Sequence, residues 1–330
     1  MTQTQTKMTT LYSRLSEIGL TPTFIRKKAL PDWWDKSLES NPAAVAEAAG
    51  YIARRLGLDV ASLLKSDKPI TFKNLAETKI KNHENAIENL IPQSMAARIA
   101  EMVAYACTQK YKTLPDSAKS LREIILKGND YLVNLDAFLQ LCWGYGIPVV
   151  HFSTFPRNAR QIDGIAAYFY NHPVIVISSK CKYSASLLFI AAHELGHIVL
   201  NHLKNQNGLI IDEKVKRNSE IDEEAAAKAF AIELLLGKPD ICYQAPRNLT
   251  ANQLADMAYK IAERDKVDPG VVALNFSWNK GYWRTGMEAM KIIEPNANAP
   301  QKINSYLAKY LDLEQLDSDS QDYLRLVTGV

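Results

Sequence analysis

The chain has 330 residues, 47% hydrophobic and 23% charged, which excludes a wholly disordered protein. At about 150 residues per domain that length leaves room for two. Its 39 Lys and Arg against 36 Asp and Glu are too evenly matched to name nucleic acid or an anionic membrane as the principal partner. Cys107, Cys142, Cys181 and Cys242 form no C-x-x-C pair, so no cysteine zinc site is expected, and reduced thiols in a cytoplasmic compartment are. The polar start, Met1 to Lys7, has no signal-peptide apolar core behind it.

Residues 1–80 read as a module of short helices, with 12 Lys and Arg against 8 Asp and Glu. Leu11 to Ile18 is one helix. Pro42 suits the first turn of the next, Ala43 to Leu56, which Gly57 ends before a short apolar turn, Leu58 to Leu64. The stretch Ala46 to Lys65 is similar to the closing helices of repressor-type helix-turn-helix domains, and Arg54 and Arg55 are then expected to face phosphates. An amphipathic helix pair for packing or dimerisation fits the same residues. Trp33 and Trp34 read as core anchors.

From Lys81 to about Tyr145 the spacing stays helical, with Ile91, Met95, Ile99, Met102, Val103 and Ala106 on one face. Ser117 to Leu126 and Tyr131 to Trp143 add two helices. Three strands follow: Gly146 to Ser153, Ile165 to Tyr170 and, after a turn at Asn171-His172-Pro173, Val174 to Ser178. Helices then resume to the end. A small sheet among helices predicts an α+β fold, with residues 81–330 as the second domain.

An apolar helix from Ala185 to Leu203 carries His193-Glu194-Leu195-Gly196-His197. Residues i and i+4 share a helix face, so both imidazoles can reach one metal ion. Glu194, one residue round, can work on a proton without being a ligand. Burying two His and a Glu without a partner is costly, and a metal satisfies them together. The apolar run is broken by these residues and is not a membrane span. His202 reads as a helix-end residue, since the metzincin spacing of a third His fails here. The third ligand is sought on the next helix, where the stripe Ala227, Phe230, Ala231, Leu234 leads back to Glu223 or Glu224, and one turn further to Glu220. The helix macrodipole explains acidic residues at its start, Asp222 and Glu223 included, without a metal.

Residues 145–240 resemble the ImmA/IrrE-type zinc metallopeptidases. The resemblance rests on the strand Val174 to Ser178, on Phe189 to His197, and on Glu224, Phe230, Ala231, Glu233, Leu234 and Leu235 at matching offsets. It departs at Ala226, where a second acid is common, and at Gly237, where a proline usually closes the helix. The resemblance implies a zincin-like pair of helices against a small sheet, with Zn²⁺ held by His193, His197 and Glu224 and with Glu194 catalytic. It also implies a cytoplasmic protease whose substrate is a regulatory protein, a repressor or antitoxin, cleaved to relieve transcriptional repression. The short strands would let an extended substrate add to a sheet edge. The alternative is a DNA- or protein-binding regulator with a metal-stabilised domain. For the oxyanion, His151, Tyr170 and His172 are candidates.

Overall fold

The computed structural model describes residues 7–65, 67–73, 87–128, 131–202, 209–212, 222–244 and 249–330. Helices α1 (Met8–Glu17), α2 (Pro22–Phe24), α3 (Pro42–Leu56), α4 (Val60–Leu64), α5 (Ile87–Ala106), α6 (Ala118–Lys127) and α7 (Leu135–Gly144) precede the strands β1 (Val149–His151), β2 (Gly164–Phe169) and β3 (His172–Ile177). Then come α8 (Ser184–Val199), β4 (Leu209–Asp212), α9 (Asp222–Leu236), α10 (Ala251–Asp265), α11 (Pro269–Lys280), α12 (Trp283–Ile293), α13 (Ala299–Tyr310) and α14 (Ser318–Thr328). This is the α+β fold that the change of texture near residue 146 announces. No helix among the described residues is long and apolar enough to cross a membrane.

The sheet has the order β1-β3-β2-β4. β1 lies parallel to β3, while β2 runs antiparallel to both β3 and β4. The strand β4 has no counterpart in the sequence reading. The turn between β2 and β3 falls one residue early, on Tyr170 and Asn171, whose φ values of 50° and 61° make a tight hairpin. His172 and Pro173 consequently belong to β3. The second of the two helices expected before the strands starts at Leu135, where the Asn134 side chain accepts from the Ala137 amide and caps α7.

α8 is buried along nearly its whole length, with Leu187, Leu188, Ala191, Ala192 and Leu195 fully enclosed. It packs against β2 and β3 on one side and against α9 and α11 on the others. α9 is fixed at its far end by Arg122 of α6, whose guanidinium donates to the carbonyls of Leu234, Leu235, Asp265 and Lys266. Those are the orphan carbonyls of helix ends, and a buried cation there also complements the helix dipole. Gly237 closes α9 with a φ of +88°, so a left-handed cap does the work expected of a proline.

The N-terminal helices join one contiguous core with the remainder of the chain, from Leu11 and Leu15 through Ile52 to Tyr323 and Leu324. Here the structure corrects the reading of Arg55. It is only 3% exposed, donates from Nε and Nη2 to Asp319 Oδ1 at 2.9 and 2.6 Å, and donates from Nη1 to the Leu30 carbonyl. A guanidinium committed in this way cannot face phosphates. Arg54 is half-exposed, 3.6 Å from Asp317 and set over the Tyr51 ring. Trp34 packs on the core as expected, whereas Trp33 is 56% exposed with its ring edge-on to Tyr51.

Candidate metal centre

Two helices bring the chemistry together. On α8, four-residue spacing stacks His193 and His197, and their Nε2 atoms stand 3.1 Å apart. α9 supplies Glu224, whose Oε2 is 3.3 Å from His193 Nε2 and 3.6 Å from His197 Nε2. Among the described residues this trio forms a group able to hold a metal. The triangle can be tested for fit: arms of about 2.0–2.1 Å at tetrahedral angles put donors about 3.4 Å apart. The observed edges bracket that value, and the donors are two imidazoles and one carboxylate, a set suited to zinc. Burial alone would raise the Glu224 carboxyl, but hydrogen bonds and charge from His193 and His197 hold it well below the usual carboxylate range. Glu220, the runner-up, lies outside the described residues. Glu223 is described one residue from Glu224 and is not in the trio.

The glycine of the motif explains how the helices come so close. A Cβ on Gly196 would lie 3.0 Å from the Ala227 carbonyl oxygen, 3.1 Å from Ala227 Cα and 3.2 Å from Phe230 Cδ1. Those are mostly backbone atoms of α9, which cannot swing aside as a side-chain end can. Gly196→Ala should gain helix propensity of up to about 1 kcal/mol yet push α9, and Glu224 with it, off the imidazoles. The expected outcome is a metal dissociation constant raised about tenfold, read by competition with a chelator. Unchanged affinity would mean the crossing is looser than it stands here.

Glu194 is completely buried. Its carboxylate lies against the first residue of β2, where a Cβ on Gly164 would sit 2.7 Å from Oε1 and 2.8 Å from Ile190 Cγ2. Only glycine leaves room for the carboxylate there. In the sequence Gly164 only precedes the expected strand Ile165 to Tyr170, and no spacing in the chain ties it to Glu194.

The structure also corrects the role of His202. α8 ends at Val199, and Asn201 adopts a left-handed φ of 56°. The chain turns back so that the His202 amide donates to the His197 carbonyl at 2.9 Å. The two Nδ1 atoms then stand 2.9 Å apart, one ring donating and the other accepting. His202 is therefore buried behind His197, where it fixes the orientation of that ring and leaves Nε2 toward the trio.

The three candidates for the oxyanion are engaged elsewhere. His151 is buried, with Nε2 2.8 Å from the Ser179 carbonyl. Burial lowers the tendency of that ring to protonate. His172 reaches the Gln109 carbonyl at 2.8 Å and the Tyr170 carbonyl at 3.1 Å. Tyr170 stands at the hairpin tip against Tyr105 and Glu101. That tip is the far end of β2, about 17 Å from Gly164 at the rise of an extended strand.

Residues 146–277 match the family model Peptidase M78, described as the IrrE N-terminal-like domain. No curated protein matches the chain. The matched stretch runs from just before β1 into α11 and contains the trio, Glu194 and Gly164. Over this stretch the chain is similar to the ImmA/IrrE type, which supports a metallopeptidase-type domain there.

Proposed function

We propose that this protein is a zinc-dependent endopeptidase in which His193, His197 and Glu224 hold the metal and Glu194 moves the proton. The observation that carries the reading is the 3.1, 3.3 and 3.6 Å triangle of donors, set beside a wholly buried carboxylate. A zinc ion held there supplies a Lewis acid that polarises the scissile carbonyl and makes water nucleophilic near neutral pH. Glu194 accepts a proton from the attacking water and delivers it to the departing amine. The wall formed by Gly164 and Ile190 keeps that carboxylate in one position and away from bulk water. His202 holds the His197 ring through Nδ1.

The regulatory substrate, a repressor or antitoxin, and the cytoplasmic setting belong to the same proposal. The setting is supported by four cysteines that are all free. The rival reading, a DNA-binding regulator, loses one of its two phosphate-facing arginines to the buried pair with Asp319. Exposed Arg54 alone is a weak footprint.

Metal content provides the test. Elemental analysis of the purified chain should find about one zinc per molecule, with His193→Ala and His197→Ala nearly empty. Glu224→Ala should lose most of the metal, while Glu220→Ala and Glu223→Ala keep it. Full zinc in both histidine variants would end this reading, and loss from Glu220→Ala alone would move the third ligand one turn back along the chain.

A further inference from the structure

A cavity of about 410 Å³ lies between α8, α9, α11 and α12. Phe189, Ile190, Ile232, Leu274, Trp278 and Trp283 supply its apolar wall. Two observations tie it to the metal centre. On α8, Ile190 stands one turn before Glu194 on the same face, and both side chains converge on Gly164, whose neighbour Asp163 also lines the cavity. On α9, the lining residue Lys228 follows Glu224 by one turn on the same face. Residues that line the cavity thus lie one helical turn, a rise of about 5.4 Å, from Glu194 along α8 and from Glu224 along α9. An extended peptide advances about 3.3 Å per residue. With its scissile carbonyl at the donor trio, the side chain of a flanking residue therefore falls at the cavity mouth.

Size and chemistry select the occupant. The volume is near the low end of the roughly 300–1,000 Å³ of small-molecule sites, too small for an element of a folded partner and ample for one large side chain. Trp278 and Trp283 meet edge to face at 5.6 Å, and Lys228 Nζ sits 4.9 Å over the Trp278 ring, so the aromatic wall is braced. We infer that this cavity receives a large apolar side chain, that of Leu, Met or Phe, from the residue next to the scissile bond, and thereby sets cleavage specificity. The inference rests on the peptidase reading above.

Three chelating probes separate the two claims: the hydroxamates of glycine, leucine and phenylalanine, titrated calorimetrically into the zinc-loaded full chain. All three share the metal-binding head and differ in the side chain offered to the cavity. The leucine and phenylalanine compounds should bind about 10- to 100-fold tighter than the glycine compound. Leu274→Trp, which fills the cavity, should remove that preference while leaving the glycine hydroxamate affinity in place. Trp283→Ala, at a residue 46% exposed and so little threat to folding, should shrink the preference by opening one wall. Equal affinities for the three probes in the wild-type chain would overturn the inference and leave the metal centre standing. A preference that survives both substitutions would overturn it too. Failure of every hydroxamate to bind, glycine included, would instead remove the metallopeptidase reading, and this inference with it.

Discussion

Glu194→Gln should leave the fold and the zinc content at wild-type levels while lowering cleavage of a proteome-derived peptide library by about 10²–10⁴-fold, the range a positioned general base contributes. The amide is nearly isosteric with the carboxylate and fits the same gap beside Gly164, where a larger group would collide. What it loses is the capacity to take a proton. Because the side chain is fully buried, exchange of a charge for a neutral amide removes a desolvation cost, so stability should stay level or rise. The variant should therefore still bind its protein target and can be used to capture it. Cleavage at the wild-type rate would reject the protease mechanism whatever the zinc content, and loss of zinc would make Glu194 a ligand.

The parts of this site that were legible in the sequence are those governed by helical periodicity. His193 and His197 follow from four-residue spacing in an apolar helix; an apolar stripe traced back one turn leads to Glu223 or Glu224, and the resemblance chooses Glu224. Both signals are local. What remained hidden depends on pairs of elements meeting in space. Gly164 stands thirty residues before Glu194, and only the packing of β2 on α8 makes its missing side chain matter. The periodicity predicts a continuous helix to Leu203 with His202 at its end, whereas a left-handed Asn201 reverses the chain. Periodicity cannot foresee a single residue with positive φ, and it is that residue which turns a helix-end histidine into the support of the His197 ring. The partners of the oxyanion candidates are equally illegible in the sequence. Residue type alone points to His151, Tyr170 and His172, and each has a polar atom on a backbone carbonyl or a carboxylate. The short strand β4 was missed because four residues offer too little pattern to separate from a loop.

The same distinction governs Arg54 and Arg55, neighbours that a sequence reading treats as one basic pair. Arg55→Ala should destabilise the protein by about 3 kcal/mol, since it takes from the buried Asp319 carboxylate its hydrogen-bonded cation and leaves only Arg54, 3.9 Å away. It also takes the donor from the Leu30 carbonyl and the guanidinium from its place 5.6 Å over the Tyr323 ring. Arg54 is 48% exposed, and its nearest carboxylates are 3.6 and 3.9 Å away, so Arg54→Ala should cost no more than about 1 kcal/mol. Urea unfolding midpoints of the two variants check this directly. Combining Arg55→Met with Asp319→Leu should recover most of the loss, because an apolar pair no longer carries an uncompensated charge. An Arg55→Ala protein as stable as wild type would mean that the pair does not anchor α3 to α14. Where a cellular effect disappears in Arg55→Ala, the cause is then loss of the folded chain rather than of a phosphate contact. A role in DNA binding has to be sought with Arg54→Ala, by the change in the salt dependence of binding, in a protein whose fold is intact.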